Sequence, residues 1–200
     1  MTRAREIDAG QVLTALGTLV EARDPYTAGH QARVAEIAVC IAQELGLDAD
    51  RIEGLRTAAL VHDVGKIVIP STLLMKPTPL TDLERELMRS HVVSGVSALD
   101  GINFPWPVGR MVEQHHERID GSGYPHGFRG EELLLESKIL GVADTLEALT
   151  SHRPYRPAIS LRAALEQLRC QRDRTFDGLV IDACIAIHRD ERIFLAPARA

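Results

Sequence analysis

At 200 residues, with 45% apolar and 26% charged side chains, the chain can bury one substantial core, and its composition argues against disorder. A net charge of −5, with both signs interspersed, lacks the basic face by which proteins grip DNA or RNA polymers. The three scattered cysteines (Cys40, Cys170 and Cys184) set up no ligand spacing, no apolar run approaches a membrane span, and the start carries no signal-peptide core, so a single cytoplasmic domain over 1–200 is expected.

The predicted elements are helical almost throughout. A lead helix over about 7–21 carries Val12, Leu13, Leu16 and Val20 as its apolar stripe, and Asp24-Pro25 then breaks the chain. A second helix begins near Thr27 with His30, Val34, Ile37, Ala38, Ile41 and Leu45 on one face, and Gly46 closes it. A third, over about 50–64, aligns Leu55, Ala58, Ala59 and His62. Residues 65–79 read as a loop with one short helical turn. Thr81 and Glu84 form a capping-box pattern opening a helix that aligns Leu83, Leu87 and His91. Pro105 and Pro107 precede a helix with Val108, Met111, Val112 and His115. The stretch 120–130 holds four glycines and no apolar period, so it is a loop; helices follow over about 137–150, 161–171 and 177–189, and a short tail ends the core of about 22–189. With no strand-helix alternation and no repeat, an all-α single helical bundle is expected.

His30, His62, His91 and His115 each lie on the apolar stripe of a separate helix. A buried imidazole without a partner costs about 1–3 kcal/mol. One such residue alone reads as a hydrogen-bonded core histidine; four inward-facing ones favour a shared site between helices. The adjacent pairs His62-Asp63 and His115-His116 add a second inference. Successive helical residues diverge by about 100°, so neighbours can serve different ions. Two metals together point to phosphoester hydrolysis. Asp63 is suited to bridge two ions through its two oxygens. Asp144, in the apolar run ILGVADTLEAL, is costly to bury unless it meets a cation or a salt-bridge partner. Imidazole and carboxylate without thiolate suit iron, manganese or zinc. The zinc-protease pattern HExxH fails because position 120 is Asp, and Gly65-Lys66 lacks the upstream glycine of a phosphate-binding loop.

These residues carry a resemblance. His62 to Lys66 (HDVGK) resembles the HDxGK signature of the HD phosphohydrolase superfamily, and His115 to Pro125 (HHERIDGSGYP) resembles the HHExxDGxGYP signature of its HD-GYP branch. DPYTAGH at 24–30, IVIP at 67–70, VAD at 142–144 and RPYR at 153–156 are similar in order and spacing, over about residues 21–180. The resemblance implies a bundle of the HD-domain type with a GYP loop beside a metal site. It implies a bacterial phosphodiesterase that hydrolyses cyclic di-GMP to pGpG, and often on to GMP. By similarity, His30, His62, Asp63, His91, His115, His116 and Asp144 are metal ligands for two divalent ions, iron first and manganese next, with Asp63 bridging. Lys66 then contacts the scissile phosphate, Gly123, Tyr124 and Pro125 line the loop beside the ligand, and Arg153 and Arg156 lie near the nucleotide.

Physical chemistry agrees with that assignment. Two metals would lower the pKa of a bridging water to give hydroxide at neutral pH and would clamp the phosphate oxygens. Lys66 offers a point charge three residues after Asp63, or else a solvated helix-end lysine. Gly121 and Gly123 allow backbone to approach a ligand closely. Tyr124 either stacks on guanine or covers the core edge, and the arginines offer forked donors or belong to a surface turn.

The departures are specific. Tyr26 stands where some members have the glutamate of a third metal, so two metals are expected. Pro157 replaces a common lysine after RPYR, and His126 replaces an acidic residue after GYP. His126 and His152 read as exposed loop residues and His188 as structural. Two further readings stand beside the phosphodiesterase: a cyclic di-GMP receptor with little turnover, and a hydrolase of a hybrid dinucleotide such as cyclic GMP-AMP. Expected partners are a sensory or receiver domain or a diguanylate cyclase; no oligomeric interface is read from the residues.

Overall fold

Local stop and start signals set the helix ends. Gly46 takes a left-handed φ of 75° after the second helix, and Asp48 then caps the third by accepting from the Arg51 amide at 2.9 Å. The capping box of Thr81 and Glu84 is present with both of its reciprocal bonds, and Ser160 caps a later helix. The computed structural model describes residues 9–23, 25–153 and 156–189. In chain order it comprises α1 (Ala9–Glu21), α2 (His30–Glu44), α3 (Ala49–Val61), α4 (Ser71–Leu74), α5 (Asp82–Arg89), α6 (His91–Leu99), α7 (Val108–Gln114), α8 (Leu135–Thr150), α9 (Leu161–Arg169) and α10 (Gly178–Arg189). A 3-10 turn, Val64–Val68, joins α3 to α4. Among the described residues there is no strand, only isolated bridges such as Asp120 with Arg129. The all-α expectation holds.

Helix α2 is the central element, packed on α3, α8 and α10. Its Val34, Ile37, Ala38 and Ile41 are fully buried with Leu55, Met111, Ile139, Leu140, Leu146, Leu168 and Ile181 from the surrounding helices. Burial of each such side chain stabilises the fold by about 1.5–3 kcal/mol before the entropy of ordering is set against it.

Two expected stripes lie elsewhere. In α1, Val12 and Leu16 are exposed, and the inward face is Leu13, Gly17 and Val20. Gly17 explains the rotation: a Cβ there would stand 2.6 Å from Gln31 Oε1 and 3.1 Å from the Leu60 carbonyl, so the helix packs through its least bulky position. Residues 7 and 8 of the expected lead helix lie outside the described residues, as does the tail beyond 189. In α5 no residue is buried; Leu83 is 84% exposed and Leu87 46%. His91 does not continue that helix. Ser90 ends it, donating its hydroxyl to the Leu87 carbonyl at 2.7 Å, and α6 begins at His91.

Candidate metal centre

The centre forms where helix ends converge on α2 and α8. His62 and His115 sit at the C-caps of α3 and α7, and His91 follows the end of α5 by one residue beyond Ser90. The last carbonyls of a helix have no intrahelical partner. Each of these three rings uses one: Nδ1 of His62, His91 and His115 donates to the carbonyls of Ala59, Met88 and Val112 at 2.7, 2.7 and 2.6 Å. The fourth ring, His30 at the start of α2, has Nδ1 on Glu147 of α8. In every case Nε2 is buried with no hydrogen-bond partner. An imidazole held through Nδ1 in this way aims Nε2 inward, the orientation that metal-ligating histidines take.

Asp63 lies among these nitrogens. Its Oδ2 is 3.5 Å from Nε2 of both His30 and His62, while Oδ1 is 3.5 Å from Nε2 of His91. The two oxygens of one carboxylate thus face different histidine groups. Asp144 stands 3.4 Å from His30 and 3.9 Å from His62, and its second oxygen is 4.0 Å from Nδ1 of His116. Donor atoms close enough to share one ion occur in His30, His62 and Asp144; in His91, His115 and His116; and in His62, Asp63 and His115. All seven expected ligands are therefore brought together. An imidazole and carboxylate donor set with buried, unpartnered nitrogens fits divalent metal ions of the kind HD-domain proteins use.

The electrostatics are those of a cation site. Burial opposes ionisation of Asp63, yet Lys66, His62 and His30 hold it well below the usual carboxylate range. Asp144 is likewise held low against burial, by His30 first. Burial would depress His30 too, but Asp144, Asp63 and Glu147 push it up to about 10, a measure of how strongly this pocket of carboxylates favours positive charge. Burial drives His115 down to about 3 and His116 well below its ordinary value, keeping both neutral.

Lys66 donates Nζ to Asp63 Oδ2 at 2.6 Å, at the edge of the centre. Its turn approaches α6 so closely that a Cβ on Gly65 would fall 1.9 Å from the His91 carbonyl and 2.4 Å from the Gly95 amide. Only glycine lets Asp63 and His91 share one centre there. Tyr124 stacks on the His116 ring at 4.7 Å and carries the Arg89 guanidinium 4.9 Å from its own centroid. It lies along the edge of the centre, between His116 and Arg89. Gly123 passes over the Glu117 backbone, where a Cβ would be 2.4 Å from Cα. Pro125 follows Tyr124 through a cis peptide.

The two expected arginines differ. Arg153 places Nη2 3.8 Å from Glu147 Oε2, behind His30. Arg156 donates to the carbonyls of Ala148 and Leu149 at 2.5 and 3.4 Å, capping the end of α8. The intervening Pro154 and Tyr155 lie outside the described residues. His126 pairs with Glu113 at 2.9 Å, His152 is exposed, and His188 donates to the Cys184 carbonyl, as loop and structural roles require.

Sequence reasoning missed three participants. Asp144 shares its helix face with Glu147, one turn later and 1% exposed, which holds His30 and accepts from Arg33 Nε at 2.8 Å and from Ser151 at 2.8 Å. An i, i+3 acid pair in an apolar run was the available signal. Buried Glu117 accepts from the His126 and Gly127 amides at 2.7 and 3.0 Å and so anchors the glycine loop. Arg89 had no signal beyond its position before His91.

The chain is 40% identical over 177 residues to the cyclic di-GMP phosphodiesterase response regulator RpfG of Xanthomonas campestris pv. campestris, covering 88% of this chain and 47% of that protein. It is 41% identical over 155 residues to the 3'3'-cGAMP-specific phosphodiesterase 3 of Vibrio cholerae, covering 77% and 34%. To the cyclic di-GMP phosphodiesterase of Thermotoga maritima it is 35% identical over 182 residues, covering 90% and 50%. The chain thus spans half the length or less of these relatives. Among solved structures, the HDG"Y"P protein Bd1817 of Bdellovibrio bacteriovorus shares the fold, with a TM-score of 0.70 at 21% identity over 90% of this chain and 63% of that one. The V. cholerae cyclic GMP-AMP phosphodiesterase V-cGAP3 gives a TM-score of 0.58 at 30% identity, over 92% and 43%. The HD domain family model matches residues 15–180, the span that holds all seven candidate ligands. With HDVGK and HHERIDGSGYP both meeting at that centre, the chain belongs to the HD domain family, in its HD-GYP branch.

Proposed function

We propose that this chain is a metal-dependent phosphodiesterase that hydrolyses cyclic di-GMP to pGpG through a binuclear centre. The observation that carries the reading is the set of four buried imidazoles, each with Nδ1 donating and Nε2 unpartnered, arranged about one carboxylate whose two oxygens face different groups. His30, His62 and Asp144 would hold one ion, His91, His115 and His116 the other, and Asp63 would bridge them, with iron ahead of manganese. Two such ions, when bound, supply charge for the phosphate oxygens and an activated water.

The chain's own groups supply the rest. Lys66, bonded to Asp63, would reach a phosphate oxygen held at the centre. Gly123, Tyr124 and Pro125 form the wall that meets the nucleotide, and Arg153 meets it from the His30 side, with Arg156 holding the turn through α8. Because the whole chain is net −5, attraction of a doubly charged cyclic dinucleotide falls to these local cations. The reading puts the enzyme in the cytoplasm, and no helix among the described residues is long and apolar enough to cross a membrane. A receiver or sensory domain, or a diguanylate cyclase, is the proposed partner.

Cyclic GMP-AMP is the second reading, favoured by the 41% identity to a V. cholerae enzyme named for it. The test is elemental analysis of anaerobically purified protein, with hydrolysis of both dinucleotides followed on the same sample. About two metals per chain with faster loss of cyclic di-GMP is the expected result. Faster loss of cyclic GMP-AMP moves the substrate. Metal-loaded protein that hydrolyses neither, while binding one of them, favours the receptor.

A further inference from the structure

The two residues that end α1 and begin the following turn touch both halves of the centre's framework. Glu21, 9% exposed, accepts from the Gly29 amide at 2.7 Å and the Gln31 amide at 2.9 Å. Those amides bracket His30, and Gly29 holds a left-handed φ of 71° just before it. Two residues on, Arg23 reaches the turn that carries Lys66. It donates to the Lys66 carbonyl at 3.3 Å, to the Ile67 carbonyl, to the Ile69 carbonyl at 3.1 Å and to Ser71 Oγ at 3.4 Å. The turn packs on α6 at Gly65 and Lys66 is bonded to Asp63, but Ile67 and Val68 are 47% and 58% exposed, so the outer main chain at 66–69 takes its support from Arg23.

We propose that Glu21 and Arg23 are positioning residues, and that the end of α1 is the device that sets Lys66 against Asp63 and His30 against Asp144. Arg23 acts through the main chain at 66–69; it is not placed to touch substrate. Loss of the Arg23 contacts then moves the turn that carries Lys66, while Glu21 keeps its hold on the amides that bracket His30. The consequence for turnover rests on the phosphodiesterase reading; the mechanical claim does not.

The test uses Arg23→Met and Arg23→Lys in the full chain, with amide hydrogen exchange over 64–71, metal content, and kcat for cyclic di-GMP. Arg23→Met is expected to speed exchange in that segment and to lower kcat roughly tenfold to a hundredfold, the scale of a displacement near 1 Å, with metal content unchanged. Arg23→Lys recovers part of both. In a Lys66→Ala background, Arg23→Met should cost little more, because its effect passes through Lys66. Unchanged exchange over 64–71, or a loss that multiplies fully with that of Lys66→Ala, overturns the proposal. If the native chain hydrolyses no dinucleotide, the exchange result still decides the mechanical claim on its own.

Discussion

Glu147 is the side chain on which His30 depends most. It fixes the ring through Nδ1 while Arg33, Ser151 and Arg153 fix the carboxylate in turn. Removing the outer partner of a metal-ligating histidine typically weakens metal affinity about tenfold to a hundredfold. Glu147→Gln is expected to lower affinity for the ion on the His30 side by that factor while the His91 side keeps its own; competition with a chelator, read as two separate release steps, checks this. Asp63→Ala removes the shared carboxylate. It should abolish turnover and lower bound metal on both sides with the helical circular-dichroism signal intact, since Asp63 contributes to no apolar cluster. Normal turnover in that variant would sink the binuclear reading.

At the scale of elements, tight backbone contacts place the ligands as much as apolar stripes do. Gly65→Ala drives a Cβ into the His91 carbonyl, so the HD turn and α6 must separate. A loss of about 2–3 kcal/mol is expected, with reduced metal content, measured by urea denaturation and elemental analysis. Leu83→Glu, by contrast, should change stability by no more than about 0.5 kcal/mol, because Leu83 is 84% exposed. A larger loss would mean α5 packs where the expected stripe had it. That contrast marks what the sequence made legible. Helix existence followed from periodicity and caps, and His30, His62 and His115 stood out as polar rings on apolar faces; His91 was singled out on a face that proved exposed. Asp63 and His116 were readable from the adjacent pairs His62-Asp63 and His115-His116, and Asp144 from the apolar run around it. The faces of α1 and α5 were not readable. Periodicity reports that a helix has two sides, whereas Gly17 against Gln31 and Leu60, and the break at Ser90, decide which side is covered. For Arg156 both readings were open in the sequence, because a guanidinium that can fork onto phosphate can equally well meet the carbonyls at the end of α8, as it does here.

For the whole molecule, the candidate centre gathers α2, α3, α6, α7 and α8 through groups drawn from positions 30 to 144. A metal that binds only the folded chain stabilises it by mass action, about 4 kcal/mol at a thousandfold excess over Kd. Since each kcal/mol moves Tm by about 2–4 °C in a domain of this size, chelation should lower Tm on the order of 10 °C, reversibly on adding iron or manganese. Equal melting with and without metal would show that the seven groups do not act as one site.

The partners of the four Nδ1 atoms carry a consequence for mutational drift. Three of them are peptide carbonyls, at Ala59, Met88 and Val112, which no side-chain substitution can delete. The fourth is a carboxylate, encoded and therefore losable. Variation can thus reach the His30 side of the centre through a single codon, while the His91 and His115 side is protected by the backbone itself. Divergence in metal preference among chains of this architecture should accordingly track the residue at position 147 rather than the residues at 59, 88 and 112.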